Sequence, residues 1–247
     1  MEILKKITFI LLSCSLLFAC KKDDASGCFT REGDIITEER LFDASFNTIE
    51  LYHDAKVFVQ QGNESKAVVK GGNKLIGSYK TRVEGHKLII ENLTTCKWTR
   101  NLQTPFEVYI TMPEFDTLYY LGYGEFHLQN DFQTDTVWVE TTDGLGDIYL
   151  HSSGKRLNLI QHSGAANLHV KGSYDFVYAY SRSMSIIDMK ETVVPEAFYA
   201  NFGVGDYHVA ASEYFKAILD QSGNIYYTGD PEIYVESQLG SGQLIEY

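Results

Sequence analysis

Proline is scarce in this chain, with 4 among 247 residues, and no internal stretch is rich in Ser and Pro or in charge of one sign. No linker divides the chain, whose length makes one large domain or two small ones. Positive charge is also short. There are 21 Lys and Arg against 33 Asp and Glu, a formal net charge of −12. Such a surface repels nucleic acid and anionic lipid, which excludes both as electrostatic partners. No apolar run reaches the roughly 20 residues of a membrane-spanning helix. The hydrolase and redox signatures G-x-S-x-G, H-E-x-x-H and C-x-x-C are missing. No segment carries a helical apolar period.

What is there begins at the N-terminus. MEILKKITFILLSCSLLFAC has Lys5 and Lys6, then an uncharged run over 7–19. That is the layout of a secretory signal. Leu17-Phe18-Ala19-Cys20 resembles a bacterial lipobox, so residues 1–19 are expected to be removed and Cys20 acylated. The following KKDDASG resembles the Lys-Asp-Asp export signal of Bacteroidetes surface lipoproteins; it equally reads as a polar tether. Cleavage would remove Glu2, Lys5 and Lys6, leaving 19 basic and 32 acidic residues and a charge of −13. Of the 4 cysteines, Cys14 leaves and Cys20 is acylated, so Cys28 and Cys96 remain. An even pair in an envelope compartment points to a disulfide. It would contribute about 4 kcal/mol by loop entropy. A free, reactive Cys96 is the alternative.

TTDGLGDIYL, residues 141–150, raises the question of a phosphate-binding loop. Such a loop needs a helix after its glycines. Here Asp147-Ile148-Tyr149-Leu150 alternates as a strand does, and a third glycine is lacking. The segment is instead one copy of a repeat. GYGEFHL, SGAANLHV, RSMSIIDM, GVGDYHV, QSGNIYYTG and a weaker LGSGQLIEY match it. Their first apolar residues are Phe126, Ile148, Leu168, Ile187, Tyr207, Ile225 and Leu244, at spacings of 22, 20, 19, 20, 18 and 19. A second strand accompanies most copies, at 136–140, 156–160, 175–180, 196–200, 214–219 and 232–236. Short strands with small-residue corners about every 20 residues predict a parallel β-solenoid, each unit one coil. Positive φ explains glycine at its corners, with Ala166 and Ser185 as replacements. A meander of hairpins is the rival, because strands come about every 10 residues. The recurrence of the glycine corner at every second strand favours the solenoid.

The first half reads as β too, with alternation over 46–62, 66–71, 87–93 and 106–112. Together, the lipobox, FNTIELYHDAKVFVQQG, KGGNKLIGSYKTRVEGHKLIIEN, CKWTR (96–100), PFEVYITMPEFDTLYYLGYGEFHL, the Gly-x-Gly strands and IYYTGDPEI form an ordered set. This set resembles the putative auto-transporter adhesin, head GIN domain family of Bacteroidetes surface proteins, over about residues 42–235. The resemblance implies a right-handed β-helix-like fold and a link to adhesion. It brings no catalytic residues. The organisation expected is a signal at 1–19, a lipid-anchored tether and N-terminal cap at 20–41, and one solenoid domain at 42–247. Whether 29–115 continues the solenoid or forms a separate β-layer is open.

If the first and third residues after each corner point inward, the one between points out. Those residues are His127, Tyr149, His169, Asp188, His208 and Tyr226, an outward ladder. Three readings stand. The ladder is a glycan- or protein-binding stripe whose aromatic faces stack on sugars. Or His169, Asp188 and His208 ligate a metal on adjacent coils. Or it is a surface that carries aromatics because they pack across strands. A polysaccharide-lyase reading fares worse, because Glu125, Asp147 and Asp206 are ordinary turn residues. Trp98 is expected to cover the disulfide or an open end. Tyr226, Tyr227, Tyr234 and Tyr247 would cap the other end or form a contact in a homo-oligomer. The reading is a non-enzymatic adhesin or interaction module on the outer membrane, with no cofactor or catalytic residue. Its partners would be the membrane through the lipid, and a glycan or a host or cell-surface protein. A periplasm-facing scaffold or sensor and, further off, a carbohydrate-active enzyme are the alternatives.

Overall fold

A computed structural model describes residues 31–95 and 106–247. Cys20, Cys28, Cys96 and Trp98 lie outside the described residues, and so does the expected disulfide. Strands dominate. The first half holds β1 (Ile35–Leu41), β2 (Thr48–His53), β3 (Lys56–Gln61), β4 (Lys66–Gly72), β5 (Tyr79–Glu84), β6 (Lys87–Asn92) and β7 (Glu107–Met112). Then come β8 (Thr117–Gly122), β9 (Phe126–Gln133), β10 (Thr136–Thr141), β11 (Ile148–Gln161), β12 (Leu168–Ser181) and β13 (Ile187–Val193). The last are β14 (Glu196–Asn201), β15 (Tyr207–Ala210), β16 (Tyr214–Leu219), β17 (Ile225–Thr228), β18 (Glu232–Ser237) and β19 (Leu244–Glu246). The single helix among the described residues is a 3-10 turn at Ile76–Ser78. No helix among them is long and apolar enough to cross a membrane.

From β8 onward every pairing is parallel, and the chain alternates between two sheets. Sheet A takes β9, the first half of β11, the first half of β12, then β13, β15, β17 and β19. Sheet B takes β8, β10, the second halves of β11 and β12, then β14, β16 and β18. The result is a β-solenoid of about 6 turns with coils about 20 residues apart. Parallel register removes the hairpin rival. Alternation explains the core: the inward residues of each coil, such as Ile148 and Leu150 from sheet A and Leu157 and Leu159 from sheet B, are fully or nearly fully buried.

Residues 35–112 continue both sheets rather than forming a separate layer, with mixed pairing. In sheet A, β3 pairs with β9 on one side and β7 on the other, both parallel; β4 then pairs antiparallel with β7, and β1 with β4. In sheet B, β2 lies between β8 and β6, and β5 closes the edge antiparallel. The segment expected to be tether and cap therefore contributes an edge strand, β1. Glu38 and Glu39 in β1 and Lys80, Arg82 and Glu84 in β5 charge those two edges, which discourages further strand addition.

The corner glycines work differently from the expectation. Gly122, Gly124, Gly144, Gly146, Gly203 and Gly205 have ordinary φ; among the described repeat glycines positive φ occurs at Gly164, Gly172 and Gly229. What the corners need is closeness. A Cβ on Gly146 would lie 1.8 Å from the Gly124 carbonyl oxygen, and one on Gly205 would lie 1.9 Å from that of Ser185. Coils stacked at strand spacing leave no room there. Buried polar side chains clamp the same loops from inside: Gln161 Nε2 donates to the Ala166 carbonyl at 2.7 Å, and Asn201 Nδ2 to that of Gly205 at 2.9 Å. Tyr207 Oη donates to the Ala200 carbonyl at 3.1 Å. Each satisfies a group that burial would otherwise leave unpaired.

Gly146→Ala is expected to lower the denaturation midpoint, at a cost of about 1–3 kcal/mol for forced repacking. Gly77→Ala, where a Cβ meets nothing within 4 Å, should leave the midpoint unchanged or raise it. Chemical denaturation of the two variants beside the parent checks this.

Candidate ligand-binding face on sheet A

The outward ladder forms as its spacing predicts. Register pairs His127 with Tyr149, Tyr149 with His169, His169 with Asp188, Asp188 with His208, and His208 with Tyr226. The rings stack. His127–Tyr149 centroids are 4.7 Å apart at 9°, Tyr149–His169 4.8 Å at 12°, and His208–Tyr226 4.9 Å at 8°. These separations equal the strand spacing, so the backbone dictates them. Two rungs that the repeat did not reveal extend the stack: Phe58 lies 4.9 Å from His127, and Tyr109 lies 5.0 Å from Phe58. They come from β3 and β7, which join sheet A by long-range pairing.

Stacking changes what the ladder can do. Both faces of Tyr149 are covered by imidazoles, so it offers solvent an edge and a hydroxyl, not a face on which a sugar could lie. The stripe therefore presents hydroxyl and imidazole nitrogens along ring edges. Tyr149 Oη lies 3.4 Å from Asp147 Oδ2, and burial raises its pKa. Glu125 takes Lys56 Nζ at 2.6 Å and His127 Nε2 at 2.8 Å on one carboxylate oxygen. The Lys56 bond, and then the His127 bond, hold that carboxyl below its usual range.

Beside the ladder lies an open groove of about 490 Å³. Two bulges wall it. Between Leu128 and Phe132, β9 carries three residues where β11 has only His151; Asn130 and Asp131 there take φ of 66° and 47°. Between Asp188 and Glu191, β13 carries two residues where β12 has only Val170. Between the bulges β11 and β12 run in register from Ile148↔Leu168 to His151↔Lys171. Tyr149, His169, His151 and Lys171 line the floor, with Asn130 at one wall and Lys190 and Glu191 at the other. Charges across it are paired: Lys171 with Glu191 at 3.2 Å and Lys190 with Asp188 at 3.3 Å. Among the described residues no three His, Cys, Asp or Glu side chains are grouped to hold a metal ion.

Sheet B has an aromatic outer face that the glycine-corner repeat did not reveal. Trp138, Asn158, Tyr178, Phe198, Lys216 and Tyr234 are in line across it. Tyr178 and Phe198 tilt at 46°, 5.2 Å apart, and Lys216 Nζ sits 4.7 Å over Phe198. Period-two reading of the second strands would have found it. The C-terminal tyrosines do not act as one cap. Tyr227 packs on Phe215 at 5.4 Å, Tyr234 is exposed on sheet B, and Tyr226 and Tyr247 lie on sheet A.

A sequence model of the family described as "Putative auto-transporter adhesin, head GIN domain" matches residues 45–231. No curated protein matches the chain. Among solved structures, a putative adhesin from Bacteroides fragilis NCTC 9343 is 20% identical with a TM-score of 0.75, covering 87% of this chain and 97% of that one. A putative adhesin from Parabacteroides merdae ATCC 43184 is 15% identical with a TM-score of 0.66, covering 88% and 98%. A putative lipid binding protein from Parabacteroides distasonis ATCC 8503 is 20% identical with a TM-score of 0.66, covering 87% and 97%. At these identities the likeness is one of fold.

Lys56→Met is expected to raise the Glu125 titration midpoint, read by NMR. A carboxyl held low in the folded state adds stability above its unfolded pKa, and that stability is lost as pH falls through the folded value. The parent should thus lose more stability on acidification than Lys56→Met.

Proposed function

We propose, on the premise that this chain belongs to the putative auto-transporter adhesin, head GIN domain family, that it is an adhesin-like contact module working through sheet A. The observation that carries this reading is the groove walled by the β9 and β13 bulges on the face where the stacked rings lie. A rigid β-face with a built recess holds contact groups at fixed spacing without ordering a loop, which lowers the entropic cost of binding. The covered ring faces of His127 and Tyr149 disfavour sugar stacking there. Hydroxyl, imidazole and paired charged groups in a line fit a protein surface better, with hydrogen bonds and exchangeable ion pairs as contacts. The adhesin description of the family supports a non-enzymatic role.

The lipobox ending at Cys20 and the KKDD after it support lipid anchoring in the outer membrane, with the solenoid displayed outside the cell. The pair Cys28 and Cys96 is read as a disulfide tying the start of the domain to the segment before β7. The ligand in this reading is a protein of another cell surface.

Protease added to intact cells should degrade this protein while a periplasmic control survives; protection would contradict surface display. Purified Tyr149→Ala/His169→Ala should keep the circular dichroism spectrum of the parent and lose at least about tenfold in retention on the cell surfaces that bind the parent. Unchanged retention would remove sheet A as the contact face.

A further inference from the structure

The ladder on sheet A has one rung that is not a ring. Asp188 stands in register between His169 and His208. Tyr149 stacks on the one side of His169, and Tyr226 on the one side of His208. The two imidazoles therefore turn their other faces toward each other across Asp188. Tyr247 does not fill this interval. It lies 5.9 Å from both His208 and Tyr226, hence beside the stack, where its hydroxyl hydrogen-bonds His208 Nδ1.

Two strand spacings separate the imidazoles, about 9.5 Å. A flat group needs about 3.5–4.0 Å to a ring on each side. One flat group fits, and two do not. At the floor is the Asp188 carboxylate, partly exposed, with the Lys190 backbone N–H donating to Oδ1 and Lys190 Nζ beside Oδ2, each at 3.3 Å. Lys190 is half exposed, so this pair is weak and exchangeable. Asp188 and Lys190 also line the groove, which gives the slot an approach from solvent.

The group that matches a flat slot with a carboxylate floor in an acidic protein is a guanidinium. It is planar, stacks on aromatic faces and pairs a carboxylate through two N–H groups at once. An ammonium has the charge without the plane, and a sugar ring is puckered and lacks the charge. We infer that the slot between His169 and His208 takes an arginine side chain of the partner protein, stacked between the imidazoles and paired with Asp188 in place of the Lys190 ammonium. This rests on sheet A being the contact face.

The test uses N-acetyl-arginine amide and N-acetyl-lysine amide as probes, with the His169 and His208 ring resonances followed by NMR at neutral pH. The arginine probe should shift both imidazoles, and the lysine probe should bind at least about tenfold more weakly. Asp188→Tyr supplies the missing ring and should abolish arginine binding while leaving the unfolding midpoint unchanged or higher. Asp188→Asn keeps the size of the side chain and should weaken binding about tenfold, which tests the floor even if Asp188→Tyr fails to fold. No shift with arginine, equal binding of lysine, or arginine binding that survives Asp188→Asn would overturn the inference. Tyr149→Ala leaves the slot in place. Loss of cell-surface retention in Tyr149→Ala together with a silent arginine probe would overturn the slot and leave the sheet A reading standing.

Discussion

Coil-on-coil hydrogen bonding between parallel strands is the constraint on which the rest of the molecule depends. Each coil must sit one strand spacing above the last along two sheets at once. That requirement reaches the corners, where Gly146 passes so close to Gly124 that no Cβ fits. It reaches the interior, where Gln161 and Asn201 hold the corner carbonyls that coil stacking buries. It also reaches the surface, because in-register pairing away from the bulges puts outward residues directly over their equivalents.

The surface consequence decides which groups the ladder presents. Rings placed at strand spacing stack on one another, and in doing so they withdraw their faces from solvent. An aromatic ladder on a solenoid is thus less a platform for sugar than a rigid row of edges, interrupted wherever a coil carries another residue. The bulges in β9 and β13 add relief to a flat face, and between them they leave a recess two coils wide. The family to which the chain belongs has an adhesin description, and a stiff face with fixed recesses suits that description.

Much of this was legible in the sequence. The spacing of Phe126, Ile148, Leu168, Ile187, Tyr207, Ile225 and Leu244 determined coil length, inward positions and all six outward rungs, because β-periodicity is local. The role of the corner glycines was misread. Backbone proximity between coils is a tertiary fact, and positive φ was the local explanation at hand. Phe58 and Tyr109 were missed because β3 and β7 join sheet A through pairings that cross the chain order. The sheet B face was open to the same period-two reading, yet it lacks a glycine marker to draw attention to Trp138, Tyr178 and Phe198. That Asp188 interrupts a ring stack, and is not simply one more polar rung, became visible only once the rings on either side were seen to stack.

The central claim is that in-register pairing aligns the outward rings and that Asp188 breaks the stack between His169 and His208. Nuclear Overhauser contacts among assigned ring protons test it most directly. The account predicts contacts from His169 to Tyr149 and from His208 to Tyr226, and none from His169 to His208. A His169–His208 contact, or no contact between His169 and Tyr149, would contradict it.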